Sequence, residues 1–291
     1  MSRTAKPSIK SVGMVLRRGR PRALAMAREI AGWLRERRVA AFAEPEFASR
    51  AGVSSLTREE LACTVDLVVV LGGDGTLLGV ARLIGERQTP ILGINLGGLG
   101  FLTEITVDEA HNALALVLDG DFEVDRRIAL EATVESSQAG GAQPDTFRAL
   151  NDVVINKQVL GRMLEIEVVA DQQRLCTYRA DGLIIATPTG STGYALSAGG
   201  PIIFPSLEAV VIAPICPHTL SNRPVVLPDS FEFEVRVHAD GDGATLTCDG
   251  QQSIHIGSAD IIRVRRCAHP VVLVRSSHTY FEIWRNKLRW G

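Results

Sequence analysis

The fold is decided by the stretch from Asp66 to Leu78, which reads Asp-Leu-Val-Val-Val-Leu-Gly-Gly-Asp-Gly-Thr-Leu-Leu. Its apolar, β-branched run predicts a buried strand of a parallel sheet. The run ends at Gly72-Gly73-Asp74-Gly75, after which Thr76 can cap an apolar helix. A strand, a glycine turn and a helix start bring backbone N–H groups and the positive end of a helix dipole to one place, where a phosphate could bind.

Asp74 is the unexpected residue of this turn, because it puts an anion where an anion should bind. A carboxylate is tolerable there if it holds a metal ion or accepts a proton from a hydroxyl that is about to be phosphorylated. The alternative is an ordinary strand-to-helix turn, since Asp-Gly pairs are common in turns. The motif alone leaves both interpretations open.

Outward from this stretch, the pattern of apolar residues divides the chain into two domains and a C-terminal segment. Strands and helices alternate across residues 1–125, which predicts an α/β domain with a parallel, Rossmann-like sheet. Short alternating segments fill residues 126–270, which predicts a mostly antiparallel, all-β domain. Residues 271–291 are expected to pack back on the first domain.

The individual elements follow from the spacing of apolar residues and from the turn formers between them. In the first domain we predict strands at 9–16, 39–42, 67–71 and 90–96, helices at 22–37, 76–86 and 107–118, and a loop around Pro45. In the second domain we predict strands at 128–134, 147–155, 165–170, 183–186, 231–238, 244–248 and 261–265, turns at 171–173, 240–243 and 249–250, and a polar loop at 136–144.

Length and composition argue against several classes of protein. The 291 residues suffice for two domains, and 46% hydrophobic with 22% charged residues is ordinary for a globular protein. A net charge of −2 gives no bulk attraction to nucleic acid or to an anionic membrane. No apolar run approaches the roughly 18 residues that span a bilayer. The five cysteines are scattered and the six histidines show no metal-ligand spacing. We therefore expect a cytoplasmic protein with reduced thiols, no structural metal, and no nucleic-acid or membrane partner.

Three further stretches favour a nucleotide ligand. Residues Asn95 to Leu102, Asn-Leu-Gly-Gly-Leu-Gly-Phe-Leu, end another predicted parallel strand, and ligands of α/β sheets bind outside the carboxyl ends of strands. The pair Asn151-Asp152 suits an adenine edge and a ribose diol. Residues 179–201 open from an apolar strand into a dense array of hydroxyls, at Thr187, Thr189, Ser191, Thr192, Tyr194 and Ser197. Each stretch has a plain alternative, namely a tight turn, an exposed strand end and a polar loop.

These stretches together resemble the bacterial NAD kinases. The resemblance lies in Gly72–Thr76, Asn95–Phe101, Asn151-Asp152, Asp181–Pro201 and Pro217–Pro224, in the family's order and across nearly the whole chain. The Gly-Gly-Asp-Gly element is shared with diacylglycerol and sphingosine kinases and with phosphofructokinases. The block Thr-Pro-Thr-Gly-Ser-Thr, followed by Ser-Ala-Gly-Gly-Pro, is much more specific.

The resemblance implies that the γ-phosphoryl group of ATP, with Mg²⁺, is transferred to the 2′-hydroxyl of the adenosine ribose of NAD, giving NADP. Asp74 then resembles the family's proton acceptor, Asn151 and Asp152 its adenosine site, and Asp181 its nicotinamide site. The other implied substrate-binding residues are Gly75, Phe101, Arg162, Arg179, Thr189, Thr192, Gly193, Tyr194, Ala195, Leu196, Ser197 and Gln251. A large side chain at Arg179 resembles members that accept NAD rather than NADH. Members of the family form homodimers or homotetramers through the β domain.

Two departures and two rival functions accompany the resemblance. Gly193 stands where alanine is usual, and Asp152 stands where glutamate is common. A lipid kinase would share the glycine motif, but the sequence offers no amphipathic helix with a basic face. A dinucleotide-binding regulatory module would not need Asp74. The first strand ends Val15-Leu-Arg-Arg-Gly-Arg20, without the glycine fingerprint of a dehydrogenase.

Overall fold

In the computed structural model, which describes residues 9–136, 144–158, 163–219, 221–238 and 243–290, the chain divides into two units. Unit 1 comprises residues 1–126 and 271–291, and unit 2 comprises residues 127–270. The first part of the chain forms β1 Ser11–Leu16, α1 Pro21–Glu36, β2 Ala40–Ala43, α2 Pro45–Ala51, β3 Ser54–Ser55, α3 Arg58–Thr64, β4 Leu67–Gly72, α4 Asp74–Ala81, β5 Ile91–Asn95, β6 Ile105–Thr106, α5 Ala110–Leu118 and β7 Val124–Arg127.

Unit 2 then forms twelve strands, β8 to β19, and one short helix within its described residues. They are β8 Leu130–Glu135, β9 Asp145–Ala149, β10 Asp152–Lys157, β11 Leu164–Ala170, β12 Gln173–Ala180, β13 Gly182–Ala186, a 3₁₀ turn Gly190–Thr192, α6 Tyr194–Ser197, β14 Ala209–Ile215, β15 Val225–Pro228, β16 Phe233–His238, β17 Ala244–Cys248, β18 Gln252–Ile256 and β19 Ile261–Arg266. The chain ends in unit 1 with β20 Val271–Val274 and α7 Tyr280–Leu288.

Unit 1 is built on a sheet in the order β3-β2-β1-β4-β5-β20-β7, with β6 beside β5. The pairs that β1, β4 and β5 form with their neighbours are parallel. Val12 and Met14 of β1 share an apolar core with Ile30 of α1. Gly13 faces the other way, where a Cβ would lie 2.7 Å from Leu61 of α3. Helices therefore cover both faces, which is why the strands are buried apolar runs.

The helices of unit 1 differ from the prediction at three points. The expected start at Thr76 is wrong, because α4 begins at Asp74 with Gly73 as its N-cap. An acidic residue in the first turn is stabilised by the helix dipole, so Asp74 belongs to the helix and not to a preceding loop. The expected loop at Pro45 is also wrong, since Pro45 is the first residue of α2, where its fixed φ suits a helix. Helix α3 was not predicted, although Thr57 and Glu60 form its capping box.

Unit 2 consists of two antiparallel sheets, in the orders β15-β14-β13-β10-β17-β18 and β12-β11-β16-β19-β8-β9. One apolar core contains residues of both sheets, including Val153, Ile166 and Leu183. A second core joins Val154 and Ile184 to residues around α6. Strands β10 and β13 are thus buried on both faces. The predicted fold class, a parallel α/β domain followed by a mostly antiparallel β domain, is confirmed.

The chain changes sheet at two positions that bear on function. The single strand expected over 147–155 is wrong, because β9 ends in one sheet and β10 begins in the other, with Leu150-Asn151 between them. Asp181 separates β12 from β13 in the same way. The two-residue spacing of the core-facing apolar residues continues through such a crossing. The sequence pattern therefore does not reveal the change of sheet.

Two hairpin turns follow the prediction and one lies mostly outside the described residues. Asp171 and Gln172 adopt positive φ angles of 46° and 63°, and Asp249 and Gly250 adopt 52° and 64°. Such angles are typical of tight hairpin turns. Residues 240–242 of the turn expected at 240–243, and 137–143 of the polar loop expected at 136–144, lie outside the described residues. Across the described part of the chain, no helix is both long enough and apolar enough to cross a bilayer.

Candidate active site

Unit 1 carries a groove at the carboxyl ends of β4 and β5, where Gly72 and Asn95 are paired in register. The groove has a volume of about 580 Å³ and is lined by Arg17, Arg20, Pro21, Arg22, Gly72, Gly73, Asp74, Asn95, Leu96, Gly97, Gly98, Gly100 and Lys287. The two glycine-rich strand ends predicted from the sequence therefore meet in one place. Ligands of parallel α/β sheets bind at such strand ends.

The Asp74 carboxylate is fixed by four hydrogen bonds from the turn that follows β5. Its Oδ1 accepts from the backbone N–H groups of Leu102 and Thr103, at 3.1 and 2.9 Å, and from Thr103 Oγ1 at 2.8 Å. Its Oδ2 accepts from the backbone N–H of Phe101 at 2.9 Å. An ionised carboxylate only accepts hydrogen bonds and has about four acceptor sites, so Oδ2 keeps capacity for a further donor.

Gly100 and Asn95 explain why the turn has this sequence. A Cβ at Gly100 would overlap both Asp74 Oδ1 and Thr103 Oγ1. Asn95 Nδ2 donates to Thr103 Oγ1 at 2.7 Å, and Asn95 Oδ1 accepts from the N–H of Gly97 at 2.9 Å. Glycine is therefore required by close approach to the carboxylate. Sequence reasoning missed Thr103, for which the glycine pattern gives no signal.

Four cationic side chains line the same groove, and sequence reasoning missed all of them. Arg17, Arg20 and Arg22 follow β1, and Lys287 lies in the last turn of α7. A Cβ on Gly73 would be 3.9 Å from Arg17 Nη1. The signal was present, because three arginines directly after a parallel strand lie at the ligand-binding edge of a sheet. A groove of glycine backbone and cations suits a chain of phosphates.

In unit 2, the crossing at Leu150-Asn151 is held by one carboxylate. Asp249 accepts from the backbone N–H groups of Leu150, Asn151 and Asp152, at 2.8, 2.7 and 3.1 Å. Thr187 adds a backbone N–H bond to the Asn151 carbonyl at 2.9 Å and an Oγ1 bond to the Leu150 carbonyl at 2.6 Å. Three stretches distant in sequence, around 151, 187 and 249, are thereby brought together.

One polar atom at this crossing has no hydrogen-bond donor within the described part of the chain, and one carboxyl group is buried. Asn151 Oδ1 is buried, and no donor from the described residues reaches it. Asp152 is 6% exposed. Burial, and then the negative charge of Asp249, raise the pKa of Asp152 to about 7. Buried polar atoms are nearly always satisfied, so an orphaned acceptor beside a titratable carboxyl points to a ligand.

The hydroxyl-rich block divides into structural and accessible residues. The interpretation of all its hydroxyls as ligand donors is wrong for Thr187 and Ser191, which are buried and bind their own loop. Thr189 is also buried and accepts from Arg127 Nη1 at 3.1 Å, and Ala195 lies in an apolar core. The positions left at the surface are Gly193, Tyr194 and Ser197, with Thr192 and Leu196 half-buried.

Arg179 lies near the end of β12 and Asp181 directly follows that strand, at the second change of sheet. Asp181 pairs with Lys157, whose Nζ lies 2.5 Å from Asp181 Oδ1. Lys157 ends the strand that begins at Asp152, so the two places are roughly 16 Å apart along five strand steps. Arg179 and Gln251 are exposed, Gly75 and Phe101 belong to unit 1, and Arg162 lies outside the described residues. Sequence reasoning did not name Lys157, which only the strand register brings to Asp181.

No cluster of three metal-ligating side chains occurs among the described residues. Unit 1 has a cationic groove with one fixed carboxylate. Unit 2 has an unsatisfied amide oxygen, which could accept a hydrogen bond from adenine, and a buried carboxyl. These features are typical of a nucleotide phosphotransferase.

Comparison with known proteins identifies the family. Residues 12–122 match the ATP-NAD kinase N-terminal domain, and residues 150–276 match the ATP-NAD kinase C-terminal domain. The NAD kinase of Geobacter metallireducens is 51% identical over 272 residues, which cover 93% of this chain and 95% of the relative. The NAD kinase of Geobacter sulfurreducens is 49% identical, with the same coverage.

Solved structures agree with the sequence matches. Yeast NADH kinase, complexed with NADH, has a TM-score of 0.90 at 25% identity and covers 98% of this chain and 88% of its own. An NAD kinase from Archaeoglobus fulgidus, in complex with ATP, has a TM-score of 0.75 at 27% identity and covers 97% of this chain and 100% of its own. The chain belongs to the ATP-NAD kinase family. It is a phosphotransferase that phosphorylates NAD to NADP.

Proposed function

We propose that the chain transfers the γ-phosphoryl group of ATP to the 2′-hydroxyl of the adenosine ribose of NAD, with Asp74 as the proton acceptor. The observation that carries the proposal is the fixed Asp74 carboxylate, which is the only acidic side chain among the described residues that line the cationic groove. A carboxylate does not bind phosphates directly, because like charges repel. It can accept a proton from an attacking hydroxyl.

The proposed reaction transfers one phosphoryl group and one proton. The ribose oxygen forms a bond to the γ-phosphorus, the bond from that phosphorus to the β,γ-bridging oxygen breaks, and ADP leaves. The hydroxyl proton passes to Asp74 Oδ2, which retains acceptor capacity beside its bond from Phe101. The four bonds from the 101–103 turn fix the orientation of the carboxylate before substrate arrives.

The donor phosphates are assigned to the groove of unit 1. Arg17, Arg20 and Arg22 offer guanidinium groups, and the glycine turns at 72–73 and 97–98 leave their backbone accessible. Mg²⁺ is proposed to come with ATP, because this ion is usually bound by one or two carboxylates together with substrate phosphates. Asp74 is the single carboxylate that the groove could offer it, and the metal would neutralise charge on the transferred group.

NAD is assigned to residues of unit 2. The orphaned Asn151 Oδ1 would accept from the adenine amino group, and Asp152 would accept from ribose hydroxyls. Asp181, held by Lys157 roughly 16 Å away along the strand, would bind the nicotinamide half. Further assigned contacts are Gly75, Phe101, Arg162, Thr189, Thr192, Gly193, Tyr194, Ala195, Leu196, Ser197 and Gln251. The large, exposed side chain of Arg179 is proposed to favour NAD over NADH as the substrate.

Asp74→Asn tests the assignment of the proton acceptor. We expect a fall in kcat of about 10²- to 10⁴-fold with little change in the dissociation constant of NAD, because the amide cannot take the proton. The amide nitrogen also replaces an oxygen that accepts from the 101–103 turn. Thr103→Val is the matched control, since it removes one hydrogen bond to Asp74 but keeps the carboxylate. A fall in Thr103→Val as large as that in Asp74→Asn, or full activity in Asp74→Asn, would contradict the proposal.

A regulatory dinucleotide-binding module is the alternative of a different class. Purified protein incubated with NAD, ATP and Mg²⁺ should form NADP. Binding of NAD without formation of NADP would favour the module. Repeating the reaction with NADH tests the assignment of Arg179, for which we expect a lower kcat/KM than with NAD.

Two exposed apolar side chains and the free thiols bear on assembly and location. Val226, on the edge strand β15, is 46% exposed, and the preceding Leu207 is 55% exposed. An exposed apolar side chain on an edge strand suits self-association, so we propose a homodimer or homotetramer formed through unit 2. Sedimentation of the purified chain would distinguish these from a monomer. The five unpaired thiols support residence in the reducing cytoplasm.

A further inference from the structure

The C-terminal helix brings a lysine to the groove that contains Asp74. Helix α7 begins with a capping box formed by Thr279 and Glu282, and it buries Ile283, which is 2% exposed. Tyr280 OH donates to the Asp125 carboxylate. These contacts fix the start and the middle of the helix within unit 1. Its last turn presents Lys287, which lines the groove.

The ammonium group of Lys287 is linked to the turn that holds Asp74. Lys287 Nζ lies 5.7 Å from the centroid of the Phe101 ring, within the range of a cation–π contact. The backbone N–H of the same Phe101 donates to Asp74 Oδ2. One residue thus contacts both the cation and the carboxylate. The lysine is exposed, so its ammonium group is free to turn toward an anion that enters the groove.

The direction of the dipole of helix α7 gives a reason for a lysine in its last turn. The carboxyl end of α7 carries partial negative charge, which by itself would repel phosphate. A cation in the last turn offsets that charge and adds a mobile donor to the three guanidinium groups that follow β1. Phosphoryl transfer depends on neutralising negative charge on the donor, and a lysine reaching the phosphates does this as a point charge.

We propose that Lys287 binds the donor phosphates during the reaction, so that the C-terminal helix is part of the phosphoryl-donor site. This proposal rests on the assignment of the donor to the groove of unit 1. Lys287 acts on the donor and not on NAD. Its loss should therefore change the kinetics for ATP and leave those for NAD unchanged.

The experiment uses the full chain with Lys287→Gln, Lys287→Arg and Arg285→Gln. Arg285 is an exposed cation on the same helix, two residues away and outside the groove lining, so it removes the same charge without the contact. We expect Lys287→Gln to raise the KM for ATP at least tenfold, Lys287→Arg to stay within threefold of the parent, and Arg285→Gln to stay within twofold. The KM for NAD should not change in any of them. Thermal unfolding of each variant checks that the fold is kept.

A second measurement isolates the phosphates from the nucleotide. Binding of inorganic tripolyphosphate, measured by calorimetry at two ionic strengths, should weaken at least fivefold in Lys287→Gln and should depend less on salt than in the parent. Arg17→Gln is included to test the groove itself. If Arg17→Gln weakens tripolyphosphate but Lys287→Gln does not, the role of Lys287 is overturned and the donor groove stands. If neither variant changes binding, the donor groove is wrong as well. An equal rise of both KM values in Lys287→Gln would indicate a merely structural role and would also overturn the proposal.

Discussion

Replacing Asp152 by asparagine should remove the pH dependence of stability that this residue imposes. Burial, and then the charge of Asp249, raise the pKa of Asp152 from 3.8 to about 7 in the folded protein. The folded state then retains a proton that the unfolded state releases above pH 4. Stability is therefore fully present below about pH 4 and is lost as the pH rises from there to about 7. Asparagine carries no such dependence.

The expected size follows from the shift. About three pKa units correspond to about 4 kcal/mol in total, of which about 3 kcal/mol falls between pH 5 and pH 8. Asp152→Asn should thus gain up to about 3 kcal/mol relative to the parent over that interval. The absolute difference at either pH also contains the altered hydrogen bonding of the amide. The change between the two pH values does not, so it is the quantity to measure.

Urea unfolding at pH 5, 6, 7 and 8 provides the assay. Far-UV circular dichroism follows both units, whereas tryptophan emission follows unit 1, because Trp33, Trp284 and Trp290 all lie there. A far-UV transition that tryptophan emission does not share therefore reports on unit 2. Asp145→Asn, at an exposed position of β9, is the matched control and should show no pH-dependent gain. A free-energy difference between Asp152→Asn and the parent that is equal at pH 5 and pH 8 would refute the reasoning.

Two further predictions concern the turns that the carboxylates hold. Gly100→Ala should lower kcat at least 100-fold, because its Cβ would overlap Asp74 Oδ1, a displacement of the kind that costs about 10²-fold in rate. Gly32→Ala, within α1 and with open space around the new Cβ, should instead stabilise the fold by about 1 kcal/mol and keep activity. Activity of Gly100→Ala equal to that of Gly32→Ala would contradict the geometry. Asp249→Asn should raise the KM for NAD, since one of three backbone N–H groups loses its acceptor at a cost of about 1–3 kcal/mol. It should also shift the unfolding dependence attributed to Asp152 to lower pH, and urea titrations that show no shift would count against the Asp152–Asp249 coupling.

The sequence predicts which strand ends form the groove, but it does not predict the hydrogen bonds that hold Asp74. The run before Gly72 and the glycines after Asn95 are local patterns, and local patterns determine which strands end at the ligand edge. The four bonds to Asp74 join residues 27 to 29 positions apart, and only tertiary packing decides which backbone N–H groups point at a carboxylate. For the same reason the side-chain chemistry of Asn151 and the resemblance, and not the periodicity, suggested its role.

The strand crossing at 150–151 shows a second limit of pattern reading. The apolar residues Phe147, Ala149, Val153 and Ile155 keep one two-residue spacing from β9 into β10, because they face the same core. The break is made by Asp249, almost a hundred residues later, which accepts the backbone N–H groups that a continuous ladder would have used. No residue close to 151 in the sequence indicates that Asp249 is its partner.

Each unit therefore uses a carboxylate to hold a turn of backbone N–H groups, but the two devices differ in consequence. In unit 1 the carboxylate that organises the turn, Asp74, also faces the groove. In unit 2 the organising Asp249 affects its neighbour, because burial, and then the charge of Asp249, raise the pKa of Asp152 to about 7. A fold selected for stability alone would place asparagine there. The carboxyl at 152, beside the unsatisfied Asn151 Oδ1, supports our proposal of a ligand that supplies hydroxyl and amino donors there, as the adenosine half of NAD would.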